Sequence, residues 1–475
     1  KMDLLCLYRQ RGRDKMTKKT AREDLGTGNI PELMLKLAVP TIIAQVVNML
    51  YNMVDRIYIG HISGVGDVAL TGLGLCFPVL MMVAAFANLI GTGGAPRAAI
   101  FMGKNDNRTA EVILGNSVTA LLLLSVVMTI GLELAAEPIL WLFGASEATM
   151  PYALGYLRIY LCGSVCVMMT LGLNSFITTQ GFTNISMKTV LIGAVSNIIL
   201  DPIFIFQFHM GVRGAALATV ISQGISALWV LLFLVGRQTK LRIKKEYMRI
   251  SAQILVPVVT LGMATFVMNI TECLLNIAFN ISLSRYGGDL AVGAMTILAS
   301  IMQLQVMPAA GIGQGAQPLL SYNYGAGKGD RVRKTIKILF ISSMIYSLSF
   351  WLVLELFPGI FVQMFNSSST ELYDITVWAV RIYMGATGVF ALQNCIQQVF
   401  VSLGQAKLSL FIACLRKLIL LIPLICILPL FFEDKVFAVF LAEPISDLTS
   451  VTVATILFAC NIKRILNEGE KSKAR

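Results

Sequence analysis

Asp55 and Asp201 stand in long apolar runs, where an ionised side chain costs about 2.5 to 3.5 kcal/mol even on insertion scales. Charges kept at that cost point to function. Asn48, Asn52 and Asp55 fall at i, i+4 and i+7 on one helical face, and Asp201 follows Asn197 by one turn and precedes Pro202. Two ionised carboxylates in one partly desolvated pocket repel each other and lose hydration, so a proton, or a Na+ ion held by oxygen ligands, is the natural occupant. A second polar stripe, Asn269, Glu272, Asn276 and Asn280, recurs at i, i+3, i+7 and i+11. Such a face must look into protein or water. Gln393, Asn394, Gln397 and Gln398 follow, then Arg416 and Lys417, then Glu443 and Asp447 one turn apart. The two bases are expected to pair with acids or to snorkel.

Signatures of enzyme chemistry are incomplete. Gly325-Ala326-Gly327-Lys328 looks like part of a phosphate loop, but Tyr322 and Gly329 stand where a Walker A sequence needs Gly and Ser or Thr, so ATP is not expected as the energy source. Ser63-Gly64-Val65-Gly66-Asp67 and Tyr373-Asp374 carry the two aspartate patterns of an intramembrane protease, in reversed chain order and in or beside loops. That alternative ranks last. His61 and His209 are the only histidines, both near one face, and Gly311, Gly313 and Gly315 suit close packing or a hinge. Cys76, Cys162, Cys166, Cys273, Cys395, Cys414 and Cys426 lie in apolar spans without metal-ligand spacing. No catalytic residue and no cofactor is expected.

The elements that position these residues follow from composition. Of 475 residues 56% are hydrophobic and 13% charged, against about 25% charged in a globular protein, and mean hydropathy is +0.75. That excludes a water-soluble fold. Since about 20 apolar residues cross a bilayer, the runs give twelve spans: 34–60, 68–102, 108–134, 150–181, 186–208, 212–237, 251–287, 291–325, 331–357, 372–405, 408–432 and 436–466. The expected fold is an all-α integral membrane protein.

The formal net charge of +12 could suggest nucleic acid, but its placement says otherwise. Alternate loops and both ends hold 29 Lys and Arg, and the opposite loops hold three, Arg213, Arg285 and Lys435. By the positive-inside rule both termini are cytoplasmic. The stretch before Asn29 is basic and lacks the apolar core of a signal peptide, and Met16 offers an internal start.

The chain also repeats itself. Gly66-Asp67 recurs as Gly288-Asp289, Gly103-Lys104 as Gly327-Lys328, Arg158-Ile159-Tyr160 as Arg381-Ile382-Tyr383, and Gly181 as Gly404, at offsets of 222 to 224. A shared offset over such a length marks an internal duplication. The expected organisation is a cytoplasmic tail (1–33), an N-lobe of six helices (34–237), a basic linker (238–250), a C-lobe of six helices (251–466) and a second tail (467–475). Two like-oriented halves related by an axis along the membrane normal are a transporter architecture, with the substrate site between them.

Several segments resemble the multidrug and toxic compound extrusion (MATE) family. They are Pro40 with Asn48, Tyr51, Asn52 and Asp55; Asn197-Ile198-Ile199-Leu200-Asp201-Pro202; Gly214-Ala215-Ala216; and Gln317-Pro318 followed by Tyr322-Asn323-Tyr324-Gly325-Ala326-Gly327. With the 6+6 repeat the resemblance spans nearly the whole chain, and it lies with the bacterial DinF-like and MepA-like branch. It implies a secondary antiporter in the plasma (inner) membrane that exports cationic or amphipathic compounds against inward H+ or Na+. It carries the N-lobe cation site to Asp55, Asn197, Asp201 and Thr219, the four possible Na+ ligands, with Asn174 nearby, and the helix 1 bend to Pro40. Asn48, Tyr51, Asn52, Glu272, Asn276, Asn394 and Gln397 are the expected substrate-cavity residues. Glu272 matches a helix 7 Glu used for Na+ in one branch, but Asn394 stands where that branch has a helix 10 Asp. The partners implied are the bilayer and the substrate, without nucleic acid or ATP, and a monomer is expected. The rival within the superfamily is a flippase for lipid-linked oligosaccharide or peptidoglycan precursors, which would want a cationic cavity.

Overall fold

The computed structural model describes residues 25–62, 65–365 and 370–474. The basic tail with Met16, and Ser63-Gly64, lie outside the described residues. Ten helices are each long and apolar enough to cross a membrane, and two bent pairs complete twelve spans. They are α1 (Ile30–Gly60), α2 (Gly66–Gly103), α3 (Asn107–Leu142), α4 (Met150–Cys162 with Ser164–Thr179), α5 (Thr183–Pro202, continued by a π turn, Ile203–Gln207) and α6 (Val212–Val235). The second half comprises α7 (Ala252–Gly288), α8 (Leu290–Gly325), α9 (Gly329–Leu356), α10 (Thr370–Tyr383 with Thr387–Ser402), α11 (Ala406–Leu430) and α12 (Lys435–Ala474). No strand occurs among the described residues.

Three span ends differ from the sequence expectation by four residues or more, one of them that of α3, which runs to Leu142 rather than ending at 134. Helix α1 begins at Ile30, inside the stretch read as tail, because Pro31 suits the first helical turn and Leu33, Met34 and Leu37 are buried. Helix α12 runs through 467–474 rather than ending near 466. An Arg464–Glu468 pair one turn apart supports its polar end, and Gly469 lies against the Tyr324 ring.

The two bends occupy equivalent places in the repeat. Helix α4 turns by 57° at Gly163 and α10 by 51° between Tyr383 and Thr387, where Gly385 stands 222 residues after Gly163. The hydrophobic cores follow the halves, with one exception in each. Leu33, Met34 and Leu37 of α1 join the C-lobe core with Ile312 and Leu319, while Val258 of α7 joins the N-lobe core. The first helix of each lobe therefore starts on the other lobe. Thr41 ties this crossing down, donating to the Gly311 carbonyl at 2.6 Å.

Glycines close the end of the molecule that carries the basic loops. A Cβ on Gly103 would meet the Tyr322 carbonyl oxygen at 2.1 Å, and one on Gly325 the Ile100 oxygen at 1.9 Å. The lobes touch there backbone to backbone. At the same end the linker is latched to the N-lobe. Gln180 Oε1, buried, accepts from Thr239 Oγ1 at 2.8 Å and from the Lys240 and Leu241 amides at 2.9 Å. Lys244 bonds Glu111 at 2.6 Å, and that carboxylate holds its ammonium above the usual lysine range.

Candidate functional site

Pro202 has no amide hydrogen to give the Ile198 carbonyl, so α5 widens at this point into its π turn, a common device at functional sites. Helix α6 closes on that turn through Gly214, where a Cβ would lie 2.7 Å from the Phe204 backbone. The result faces Asn197 and Asp201 of α5 onto Thr219 of α6. Asn197 Nδ2 donates to Asp201 Oδ1 at 3.2 Å and to Thr219 Oγ1 at 3.4 Å. All three are buried, Asp201 completely.

Asp55 approaches from α1, which packs along α5. It is 9% exposed and lies within electrostatic range of Asp201. The neighbouring Arg56 is exposed and rests on the Phe77 ring, 5.8 Å from its centroid, and forms no salt bridge to Asp55 among the described residues. Arg56 acts on Asp55 only at a distance, through its charge and not through an ion pair. Asp55 Oδ1, Asn197 Oδ1 and Asp201 Oδ2 are buried oxygens that accept no hydrogen bond. Unpaired buried acceptors cost about 1 to 3 kcal/mol each, more when charged, unless something cationic fills the gap. A proton satisfies a carboxylate directly. Among the described residues no three His, Cys, Asp or Glu side chains group as a metal site, so a bound Na+ would rely on the neutral oxygens of Asn197 and Thr219 beside the two carboxylates.

Tyrosines line the same pocket. Tyr51 lies within electrostatic range of Asp55 and Asp201, and Tyr156 of Asp55 and Tyr51. Tyr156 and Tyr160 stack with ring centroids 6.2 Å apart. Asn48 and Asn52 are exposed, and Asn52 Nδ2 donates to the Asn48 carbonyl at 2.7 Å. They sit on the rim rather than in the buried pocket.

In the second half, Glu272, Asn276 and Asn280 of α7 are exposed along one face, as a polar stripe requires. Glu272 is paired with the Lys417 ammonium. Arg416 holds Asp447 at 2.6 Å and Glu443 at 2.5 Å and covers the Phe390 ring at 4.0 Å. Both bases lie in a π segment of α11, Leu415–Leu421, just before Pro423. Asn394 and Gln397 line a small cavity beside them with Met268 and Gln393.

Comparison with known proteins now decides the family. A family model described as MatE matches residues 40–203 and again 264–427, starting 224 residues apart. The chain belongs to the MatE family. The multidrug export protein MepA of Staphylococcus saprophyticus subsp. saprophyticus is 24% identical over 426 residues, 89% of this chain and 93% of that protein. Among solved structures, one described as the "outward-facing conformation of a multidrug resistance MATE family transporter of the MOP superfamily" superposes with a TM-score of 0.87 at 23% identity, covering 94% of this chain and 99% of that one. A MATE protein in a "bent conformation" gives 0.88 at 24% identity, covering 96% and 100%. The chain is therefore a multi-pass membrane transporter of a drug-export family rather than an enzyme, with a two-repeat helical fold.

Against the family expectation, Asn174 stands apart from the other four N-lobe residues. Its Nδ2 reaches the Ser186 carbonyl, 3.5 Å away. Ser186 lies eleven residues before Asn197 on α5, about 16 Å along a helix at 1.5 Å per residue. Asn174 belongs to the α4–α5 packing near the basic end, with Thr178 and Ser186. Tyr156 and Tyr160 were missed as site residues, although their i, i+4 spacing on α4 and the repeat of Tyr160 as Tyr383 were readable. Pro40 is buried within an unbroken α1.

Proposed function

We propose that this MatE protein is a secondary active antiporter that exports cationic or amphipathic compounds in exchange for inward H+ or Na+ by alternating access. The observation that carries this is the pair of buried carboxylates, Asp55 and Asp201, with three unpaired oxygens among them and Asn197. The coupling cation enters that pocket, held by Asp55, Asn197, Asp201 and, for Na+, Thr219. A cation drives a conformational change only if it binds one state better, and α1 meets that condition. It carries Asp55 beside α5, while its first turns sit on α8 of the other lobe, so neutralising Asp55 changes how α1 can lie between them. Pro40, at the changeover, is the hinge. Each charge moved down 100 mV contributes about 2.3 kcal/mol.

The substrate occupies the cleft between an N-lobe (34–237) and a C-lobe (251–466), against Asn48, Tyr51, Asn52, Glu272, Asn276, Asn394 and Gln397. With the basic loops and both termini cytoplasmic, the glycine contacts at Gly103 and Gly325 close the cytoplasmic side, and the exposed polar faces open outward. The protein works as a monomer and without ATP in the plasma membrane. Ethidium efflux from proteoliposomes under an imposed pH gradient and, separately, a Na+ gradient tests the reading. Efflux is expected under one of them and lost in Asp55→Asn and Asp201→Asn. Gradient-driven efflux that survives both substitutions overturns the mechanism.

A further inference from the structure

The C-lobe cluster carries two bases and three acids: Arg416 and Lys417 from α11, Glu443 and Asp447 from α12, and Glu272 from α7. If all five are ionised it is one positive charge short, inside a membrane where uncompensated charge is expensive. The division of contacts shows where the shortfall lies. Arg416 alone serves Glu443 and Asp447, whose Oε2 and Oδ2 are buried and accept no hydrogen bond. Lys417 lies within electrostatic range of both of these acids. Its ammonium nevertheless points the other way, to Glu272 and the Met268 carbonyl. Glu272 is the only one of the five that faces open space, its side chain 60% exposed against 9% for Lys417 and less for the other three. The remaining polar neighbours, Tyr383, Gln393, Asn394 and Gln397 of α10, bring no formal charge.

We infer that Lys417 is a tethered ammonium that occupies Glu272 in place of the substrate's cationic group and sets which substrates bind there. A monocation entering the cleft supplies the missing charge. It takes Glu272, and Lys417 turns back through the cavity lined by Met268, Gln393, Gln397 and Arg416 toward the unpaired oxygens of Glu443 and Asp447. Every group is then paired. A neutral amphiphile cannot make this exchange, since displacing Lys417 would strand Glu272. The inference rests on the export of cationic compounds proposed above and names a specificity-determining residue for it.

The test measures equilibrium ethidium binding to the full-length purified protein in detergent by fluorescence polarisation, alongside ethidium efflux from proteoliposomes. Lys417→Met removes the competitor, and its Kd is expected to fall by about fivefold, the upper range for release of a half-exposed ion pair. Lys417→Arg, which keeps the charge, stays near wild type. Glu272→Gln combined with Lys417→Met loses the gain. A neutral probe, 1-aminoanthracene, binds Lys417→Met as it binds wild type. Lys417→Gln serves as a second neutral variant should the methionine protein unfold. Unchanged or weaker ethidium binding in the neutral variants overturns the inference, the result expected if a proton rather than the substrate supplies the missing charge. Wild-type protein that binds ethidium, tightens on Lys417→Met and yet shows no gradient-driven efflux overturns the antiport reading alone.

Discussion

Replacing Gly325 by alanine tests whether the glycine crossing is a gate. The added Cβ would lie 1.9 Å from the Ile100 carbonyl oxygen, where ordinary contact begins at 3.4 Å. Helices α2 and α8 would have to part by roughly 1.5 Å, and both sides of the clash are backbone, so no side chain can swing away. Overpacking of this kind costs about 1 to 3 kcal/mol. Alanine gains up to about 1 kcal/mol over glycine in a helix, but in every conformation, so that gain cancels from the balance between them. The penalty falls only on the state with this end closed, shifting the equilibrium by roughly 5- to 150-fold toward the state with it open. Gly103→Ala, which meets the Tyr322 oxygen at 2.1 Å, does the same from the other lobe. Spin labels at residues 147 and 371, both exposed near the opposite end, report the result after Cys6 and, among the described residues, the exposed Cys162, Cys426 and Cys460 are removed. Their separation should shorten in either variant while export falls and ethidium binding persists. An unchanged distance distribution with full export refutes the argument, because it means the crossing never has to close.

Two smaller changes probe the positions of other residues. Asn174→Ala should leave gradient-driven efflux within about twofold of wild type, since Asn174 bonds Ser186, some three turns before Asn197 on α5, whereas Asn197→Ala should abolish it; equal losses would place Asn174 in the site after all. Gln180→Leu strands two linker amides at once and leaves the Thr239 hydroxyl only the Leu241 carbonyl, so the thermal midpoint should fall by an amount equivalent to about 2 kcal/mol, with substrate affinity unchanged.

What the sequence made legible, and what it hid, divides along a physical line. Spans and repeat were readable because they depend on one-dimensional signals: apolar run length, the side on which Lys and Arg fall, and identities at a fixed offset. Asp55, Asn197 and Asp201 stood out because charge and amides inside apolar runs are rare whatever their partners. Partnership itself is a property of packing. Nothing in Asp55-Arg56 says that the acid is buried and the base lies out on Phe77, or that of two adjacent bases Arg416 turns to α12 and Lys417 to α7. Neighbouring residues diverge by about 100° on any helix, and which base meets which acid is set by how α7 and α12 pack on α11. Where Asn174 lies is set in the same way, by the packing of α4 on α5 at Ser186. The polar ends of α1 and α12 were read as tails because hydropathy cannot tell a polar helix from a loop.

The repeat also shows how one scaffold came to carry two kinds of site. On α6, Thr219, Ser222, Gln223 and Ser226 lie 224 residues before Glu443, Ser446, Asp447 and Ser450 on α12, the same offset as the two family matches. The serines are kept, and three of the four are bonded: Ser226 donates to the Thr189 carbonyl, Ser446 to that of Arg416 and Ser450 to Gln393 Oε1. The other two positions change from neutral to acidic. In the N-lobe Thr219 meets Asn197 and Gln223 meets Tyr51, and neither brings a charge to compensate Asp201, so the pocket is suited to a mobile cation. In the C-lobe they are acids themselves, and Arg416 has been placed on the facing helix to hold them. On the antiport reading proposed above, a coupling ion and a substrate cation would be drawn to different lobes by the same geometry, with Glu272, the exposed acid of the C-lobe cluster, left for the cargo.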